Sequence, residues 1–233
     1  MKEKSSVVDP EVLRQQRLDQ ELRIDFGYTF TTEYHKHGNH GVNQVLYNPN
    51  MKAFVSCNEK QIHVWGQHDG AQLFQVNFFE ETKSHAISCF CYSRKHMVFF
   101  VISTDFKLHV FNENMIHVCE VHMKTSLISY CFFYEPHNLL VCGGVDGCYI
   151  FQLQIHCKYT PQMALTLDPY GSNTSVSIKQ TIKLEDAAKE LSIGKFDGMK
   201  DWTKGLHLCS ETKLLISWSN KSMLFWDLKP EIL

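Results

Sequence analysis

This 233-residue chain has no excess of charge of either sign: Lys and Arg total 23 against 25 Asp and Glu. With no basic surplus to neutralise phosphates or an anionic lipid surface, the sequence predicts neither nucleic acid nor membrane as a partner. Long apolar runs are missing as well. The longest, Met97 to Ile102, falls far short of the roughly 20 residues that a helical span requires. The opening Met-Lys-Glu-Lys-Ser-Ser leads into no apolar leader segment, so no signal peptide is expected and the reading is a cytoplasmic one. A surplus of charged over apolar residues, the mark of disorder, is also absent, since hydrophobic residues make up 44% and charged residues 21%.

The motifs that carry chemistry are missing too. The sequence contains no G-x-S-x-G, no H-E-x-x-H, no G-x-x-x-x-G-K-[ST] and no EF-hand loop. Gly143-Gly144-Val145-Asp146-Gly147 joins two strands and opens no helix, so it reads as a hairpin turn rather than a phosphate cradle. The 9 cysteines are odd in number and form no C-x-x-C pair, which predicts reduced thiols acting as small core hydrophobes. Among 13 histidines, His35, His37 and His40 form H-x-H-x-x-H, but the loop also holds Gly38 and Gly41, and solvated loop histidines are the reading. His63 and His109 stand two residues before Trp65 and Phe111, where repeat position predicts an exposed polar residue. No catalytic residue, cofactor or metal is expected.

What is present is a repeat. One unit occurs four times: an alternating strand, a polar turn, an apolar strand, a tight turn and an aromatic-tipped strand. The copies run Val42 to Trp65, Ile87 to Phe111, Leu127 to Phe151 and Thr203 to Asp227. From the end of the first strand (Tyr47, Tyr92, Tyr134, Cys209) to the last aromatic (Trp65, Phe111, Phe151, Trp226) the distances are 18, 19, 17 and 17 residues. Further alternating runs at Ala71 to Phe78 and Ile116 to Met123 complete the first two copies as four-stranded units. Tandem antiparallel units of this kind must bury both faces against their neighbours, so they stack radially and predict an all-β propeller.

These residues resemble the WD-repeat (WD40) family. His40-Gly41 precedes Trp65 by 25 residues, much as the family's Gly-His precedes its Trp-Asp, and the fourth copy ends in Trp226-Asp227. The resemblance implies, within each blade, a buried tetrad of His, Ser or Thr, Asp and Trp. Carried over by position, copy one offers His40 and Trp65, with Glu59 at the Asp place and Cys57 at the Ser place. Copy two offers His85, Ser103 and Asp105, with Phe111 for the Trp; copy three keeps Asp146 and ends in Phe151; copy four keeps Trp226, with Asn220 at the Asp place. No copy has all four members, so apolar packing is expected to hold the blades.

Outside the repeats, residues 1–27 form an N-terminal segment with a short helix over 9–22, capped by Asp9 and opened by Pro10. Tyr28 to Tyr34 alternates as a strand in the place of an outer strand of the last blade. The blades fill 28–233, interrupted by an insertion at about 157–201 that holds an outer strand, Ser175 to Lys183, and a helix-like Leu184 to Leu191. Long insertions either project as contact surfaces or are tolerated loops, and both readings stay open.

The sequence predicts 16 strands, so four blades either close with the help of the N-terminal strand or form a partial, open propeller. The open form is favoured, because WD-type wedges are cut for a wider ring, and its bare edges would invite self-association. The resemblance implies a non-enzymatic scaffold that binds other proteins. An alternative is an accessory domain of a ciliary or flagellar assembly. An enzyme built around a central channel is disfavoured, because the inner strands carry only His207 among carboxylates and histidines.

Overall fold

The computed structural model describes residues 41–78, 85–157, 174–184, 188–190, 202–209 and 211–228. The helix expected at 9–22, the strand at Tyr28 to Tyr34, and His35, His37 and His40 lie outside the described residues. The first sheet comprises β1 (Gln44–Asn48), β2 (Ala53–Cys57), β3 (Gln61–Gly66) and β4 (Gln72–Asn77). The second comprises β5 (Ile87–Ser93), β6 (Val98–Ser103), β7 (Lys107–Asn112) and β8 (His117–His122). The third holds β9 (Ile128–Tyr134), β10 (Leu139–Gly144), β11 (Gly147–Cys157) and β12 (Thr174–Lys183), with a 3-10 turn at Glu135–His137. The fourth holds β13 (Ala188–Glu190), β14 (Gly205–Cys209), β15 (Leu214–Trp218) and β16 (Met223–Leu228). No helix among the described residues is long and apolar enough to cross a membrane.

The first three sheets are antiparallel meanders, and the turn into the second strand of the three-stranded run repeats in all four sheets down to the backbone dihedral. The residue entering the second strand is left-handed in all four sheets: Lys52, Met97, Asn138 and Lys213 have φ of 50°, 53°, 53° and 58°. A left-handed residue there turns the chain sharply enough to pair β1 with β2, β5 with β6, β9 with β10 and β14 with β15 in register. Three of the four are not glycine or asparagine, so each stores backbone strain.

The fourth sheet corrects the reading of the insertion. Its order is β13-β16-β15-β14, so its outer strand comes from upstream of its inner one. The segment expected to be helix-like over Leu184 to Leu191 is helical at Leu184 and, after residues 185–187 that lie outside the described ones, runs into a strand, with Ala188 opposite Leu228, Lys189 opposite Asp227 and Glu190 opposite Trp226. The open edge of β16 offers this short strand a row of backbone partners. The outer strand expected at Ser175 to Lys183 is β12, paired along its length with β11.

Four sheets stack through three cores. Between the first and second lie Ala53, Val55, Val64, Phe90, Phe99 and Val101; between the second and third, Phe100, Val110, Cys131, Leu140 and Phe151; between the third and fourth, Val141, Ile150, Leu206, Leu215, Leu224 and Trp226. A closed ring of four blades needs a fourth core between the last sheet and the first, and none is present among the described residues. Hydrogen bonds between innermost strands reinforce the stack. The Gln44 amide donates to Phe90 O at 2.8 Å and accepts from Phe90 N at 3.0 Å, Ser88 donates to Ile128 O, and Ser129 donates to Thr203 O at 2.6 Å. Thr203 fits so closely between the third and fourth sheets that a Cβ on Gly143 would lie 2.3 Å from its methyl group.

Candidate functional site

The aromatic of each third strand (Trp65, Phe111, Phe151, Trp226) is buried. Phe111, Phe151 and Trp226 each point toward the preceding sheet, because strand alternation puts them on the face that meets it. The two tryptophans each donate a hydrogen bond from indole Nε1 to a serine, Trp65 to Ser56 Oγ at 2.7 Å and Trp226 to Ser217 Oγ at 2.8 Å. The hydroxyl partner in copy one is therefore Ser56, not Cys57. Cys57 points to the opposite face and packs in the first core. Two residues past the partner of the aromatic, where Ser56 and Ser217 sit, the phenylalanine blades carry Val101 and Cys142. A phenyl ring needs no acceptor, and an unpaired hydroxyl there would be buried at a cost.

The other tetrad positions do not assemble as the resemblance implies. Glu59 is exposed and contributes only its backbone carbonyl, which accepts from Ile87 N at 2.7 Å. Asp146 and Asn220 are exposed in turns, and Asp227 lies on the outer flank of the fourth sheet. Copy one instead uses buried Asn58, whose Oδ1 accepts from Lys60 N and Gln61 N, both at 2.7 Å. Copy two keeps a partial network: Ser103 hydrogen-bonds to Asp105 and lies 3.0 Å from His109 Nε2, while His85 stands close enough to act on Asp105 by its charge. Partial burial opposes ionisation of Asp105, but the Ser103 hydroxyl and the charges of His85, His109 and Lys107 outweigh it and hold the carboxyl below its ordinary value.

His63 and His109 are buried, contrary to the expectation from repeat position. Both lie on the same sheet face as the aromatic two residues on. His63 stacks on Trp65 with ring centroids 5.6 Å apart, and His109 meets Phe78 edge-on at 4.9 Å. Burial lowers both imidazoles below the usual histidine value. His109 Nδ1 stands 3.8 Å from Glu120 Oε2, so Ser103, His109 and Glu120 follow the order of a hydrolytic triad. The chemistry does not follow. Ser103 is 1% exposed and shares its hydroxyl with the Asp105 carboxylate.

Cys57, Cys89, Cys91, Cys131, Cys142 and Cys148 are buried among apolar side chains. Cys89, Cys91, Cys131 and Cys142 converge in the core between the second and third sheets, all as free thiols. Burial raises Cys89, Cys91 and Cys142 well above the ordinary thiol value, so these three stay protonated.

The surface feature that distinguishes the molecule is the outer flank of the fourth sheet. Strand register aligns Cys209, Leu214 and Asp227 in one row, His207, Ile216 and Phe225 in the next, and Gly205, Trp218 and Met223 in a third. All nine lie on the face turned away from the third core. Met223 is 54% and Phe225 38% exposed. Gly205 lets the Trp218 ring lie flat on the sheet, since a Cβ there would come within 2.0 Å of the ring. At the other end of the stack, the flank of the first sheet turned from the second exposes Val45 and Tyr47.

No family model and no curated protein matches the chain. Among solved structures it is similar to the WD40 repeats of RRP9, with a TM-score of 0.55 at 12% identity over 84% of this chain. The chain spans 50% of the length of that structure. Four antiparallel four-stranded sheets in series, with Phe111, Phe151 and Trp226 of the third strands buried against the preceding sheet, agree with that likeness. The fold is a WD40-like β-propeller of four blades, with no core joining the fourth to the first among the described residues.

Proposed function

We propose that the chain is a non-enzymatic protein-interaction module whose contact surface is the free flank of the fourth sheet. The observation that carries this reading is the row of Leu214, Ile216, Trp218, Met223 and Phe225 on a sheet face against which no core packs among the described residues. Contiguous apolar faces of this kind are costly in water and mark interaction sites. The partner that fits is another apolar β-flank. A second copy offers one in Val45 and Tyr47 of its first sheet, which makes the contact head-to-tail and the chain prone to self-association. The inner strands β1, β5, β9 and β14 carry His207 and no carboxylate, which supports binding rather than catalysis at the channel.

Light scattering across a protein concentration series tests this reading. Wild type is expected to gain mass with concentration, and Phe225→Asp to remain monomeric with its fold intact by circular dichroism. Equal association of both proteins would move the contact away from this flank. The narrower readings of the sequence, a cytoplasmic setting and a ciliary or flagellar assembly, are tested by cell fractionation. Retention with a detergent-resistant cytoskeletal pellet would favour the assembly, and release into the soluble fraction would favour the scaffold.

A further inference from the structure

In the second sheet, His109 of β7 lies directly opposite Glu120 of β8. Unbroken alternation would place residues 117 and 120 on opposite faces. A register shift between Val110 and Phe111 instead pairs His117 with Phe111 and brings it onto the face that holds His109 and Glu120. One ligand atom from each of the three residues then lies within 4.8 Å of the others. The two imidazole rings are 5.7 Å apart, and His117 also packs edge-on to Phe111 at 5.1 Å.

The surroundings of His109 set its tautomer. Ser103 has one hydroxyl hydrogen, and its two acceptor-only neighbours are the Asp105 carboxylate and Lys107 O at 3.3 Å. Its oxygen therefore accepts from His109 at 3.0 Å, which puts the imidazole proton on Nε2 and the lone pair on Nδ1. Nδ1 is the nitrogen that faces Glu120 Oε2 at 3.8 Å. Asp105, Ser103 and His109 thus form the carboxylate-backed support that orients a ligating histidine.

We propose that His109, His117 and Glu120 form a binding site for one divalent transition-metal ion of the zinc class, with water completing its coordination. Two imidazoles and one carboxylate suit zinc, and three protein ligands leave a position open. Bonds of about 2.0–2.2 Å require ligand atoms roughly 3.4 Å apart, so the side chains must close by about 1 Å. His117 and Glu120 are exposed and can make that movement, while buried His109 is the fixed point. Lys107 Nζ, 2.9 Å from Glu120 Oε1, competes for the same carboxylate.

Cobalt(II) titration of the full chain, read by visible absorption, tests the site. One equivalent should bind and give visible ligand-field bands without the near-ultraviolet band of sulfur-to-cobalt charge transfer. His117→Ala and Glu120→Gln should each weaken binding at least tenfold, and Lys107→Met should tighten it. Both ligand side chains are exposed, so the variants are expected to fold, as circular dichroism would verify. Binding unchanged by His117→Ala, a sulfur charge-transfer band, or no binding to wild type would each overturn the proposal.

Discussion

Replacing Ser217 by Ala removes the acceptor of a buried indole and nothing else of comparable size. Trp226 is buried, Ser217 is fully buried, and the bond between them is 2.8 Å long. Without the hydroxyl, the N–H has been taken from water without a partner, which costs about 1–3 kcal/mol. Trp226→Phe removes the donor instead, leaving a smaller ring in the third core and a buried Ser217 hydroxyl without its partner, a loss of roughly 1–3 kcal/mol from reduced packing and the orphaned hydroxyl together. The double variant recreates what the second and third sheets already carry, Phe111 with Val101 and Phe151 with Cys142. It has neither an orphaned donor nor an orphaned hydroxyl, so it should cost no more than Trp226→Phe alone. Urea denaturation followed by far-ultraviolet circular dichroism should therefore show the two single losses together exceeding the double by about 1–3 kcal/mol. Additive losses would refute the claim that the hydrogen bond, rather than ring size alone, distinguishes the tryptophan blades from the phenylalanine blades.

Lys213 is exposed with φ 58°, so Lys213→Gly relieves a left-handed strain and should stabilise the chain by about 0.5–1 kcal/mol in the same assay. Asn138→Gly, at φ 53°, should change little, because asparagine tolerates that conformation. Buried His63 and His109 have lowered values, so the unfolded chain takes up their protons first. Stability should be constant above the ordinary histidine value of about 6.5 and fall below it, by up to about 1.4 kcal/mol per pH unit for each histidine. His63→Gln should flatten that slope in urea midpoints measured across the range. For Asp105 the sign is opposite: its lowered carboxyl contributes stability above about pH 4 that is lost as the pH falls through the folded value. The deficit of Asp105→Asn should accordingly be largest at neutral pH and shrink in acid.

Much of the fold could be read from the sequence because the repeat is carried by strand alternation and by aromatics at nearly constant spacing. The four inner strands and the outer strand β12 lie within a residue or two of their expected places. Strand β13 was not legible, because Ala188–Glu190 has no apolar alternation of its own and is ordered by pairing with β16. The serine partners of Trp65 and Trp226 leave a signal, a serine nine residues before each tryptophan. Tetrad spacing pointed elsewhere, to Cys57, Glu59 and Asn220, which face the wrong side or lie in turns. Nothing in the sequence marks the register shift that puts His117 beside His109 and Glu120, because the shift arises only when β7 and β8 pair. The burial of His109 follows from its place beside Phe78 at the junction of the first two sheets, which no local pattern shows.

No sheet among the described residues packs on the outer flank of the fourth sheet, and hydroxyl-radical footprinting of the monomer reads that flank directly. Methionine is among the side chains most readily oxidised, and three of them give an internal scale: Met223 is 54% exposed, Met115 5% and Met123 1%. An open stack predicts rapid oxidation of Met223 and Phe225, with Met115 and Met123 protected. If Met223 were as slow as Met123 in a monomeric sample, the flank would be covered and the propeller would not be open there.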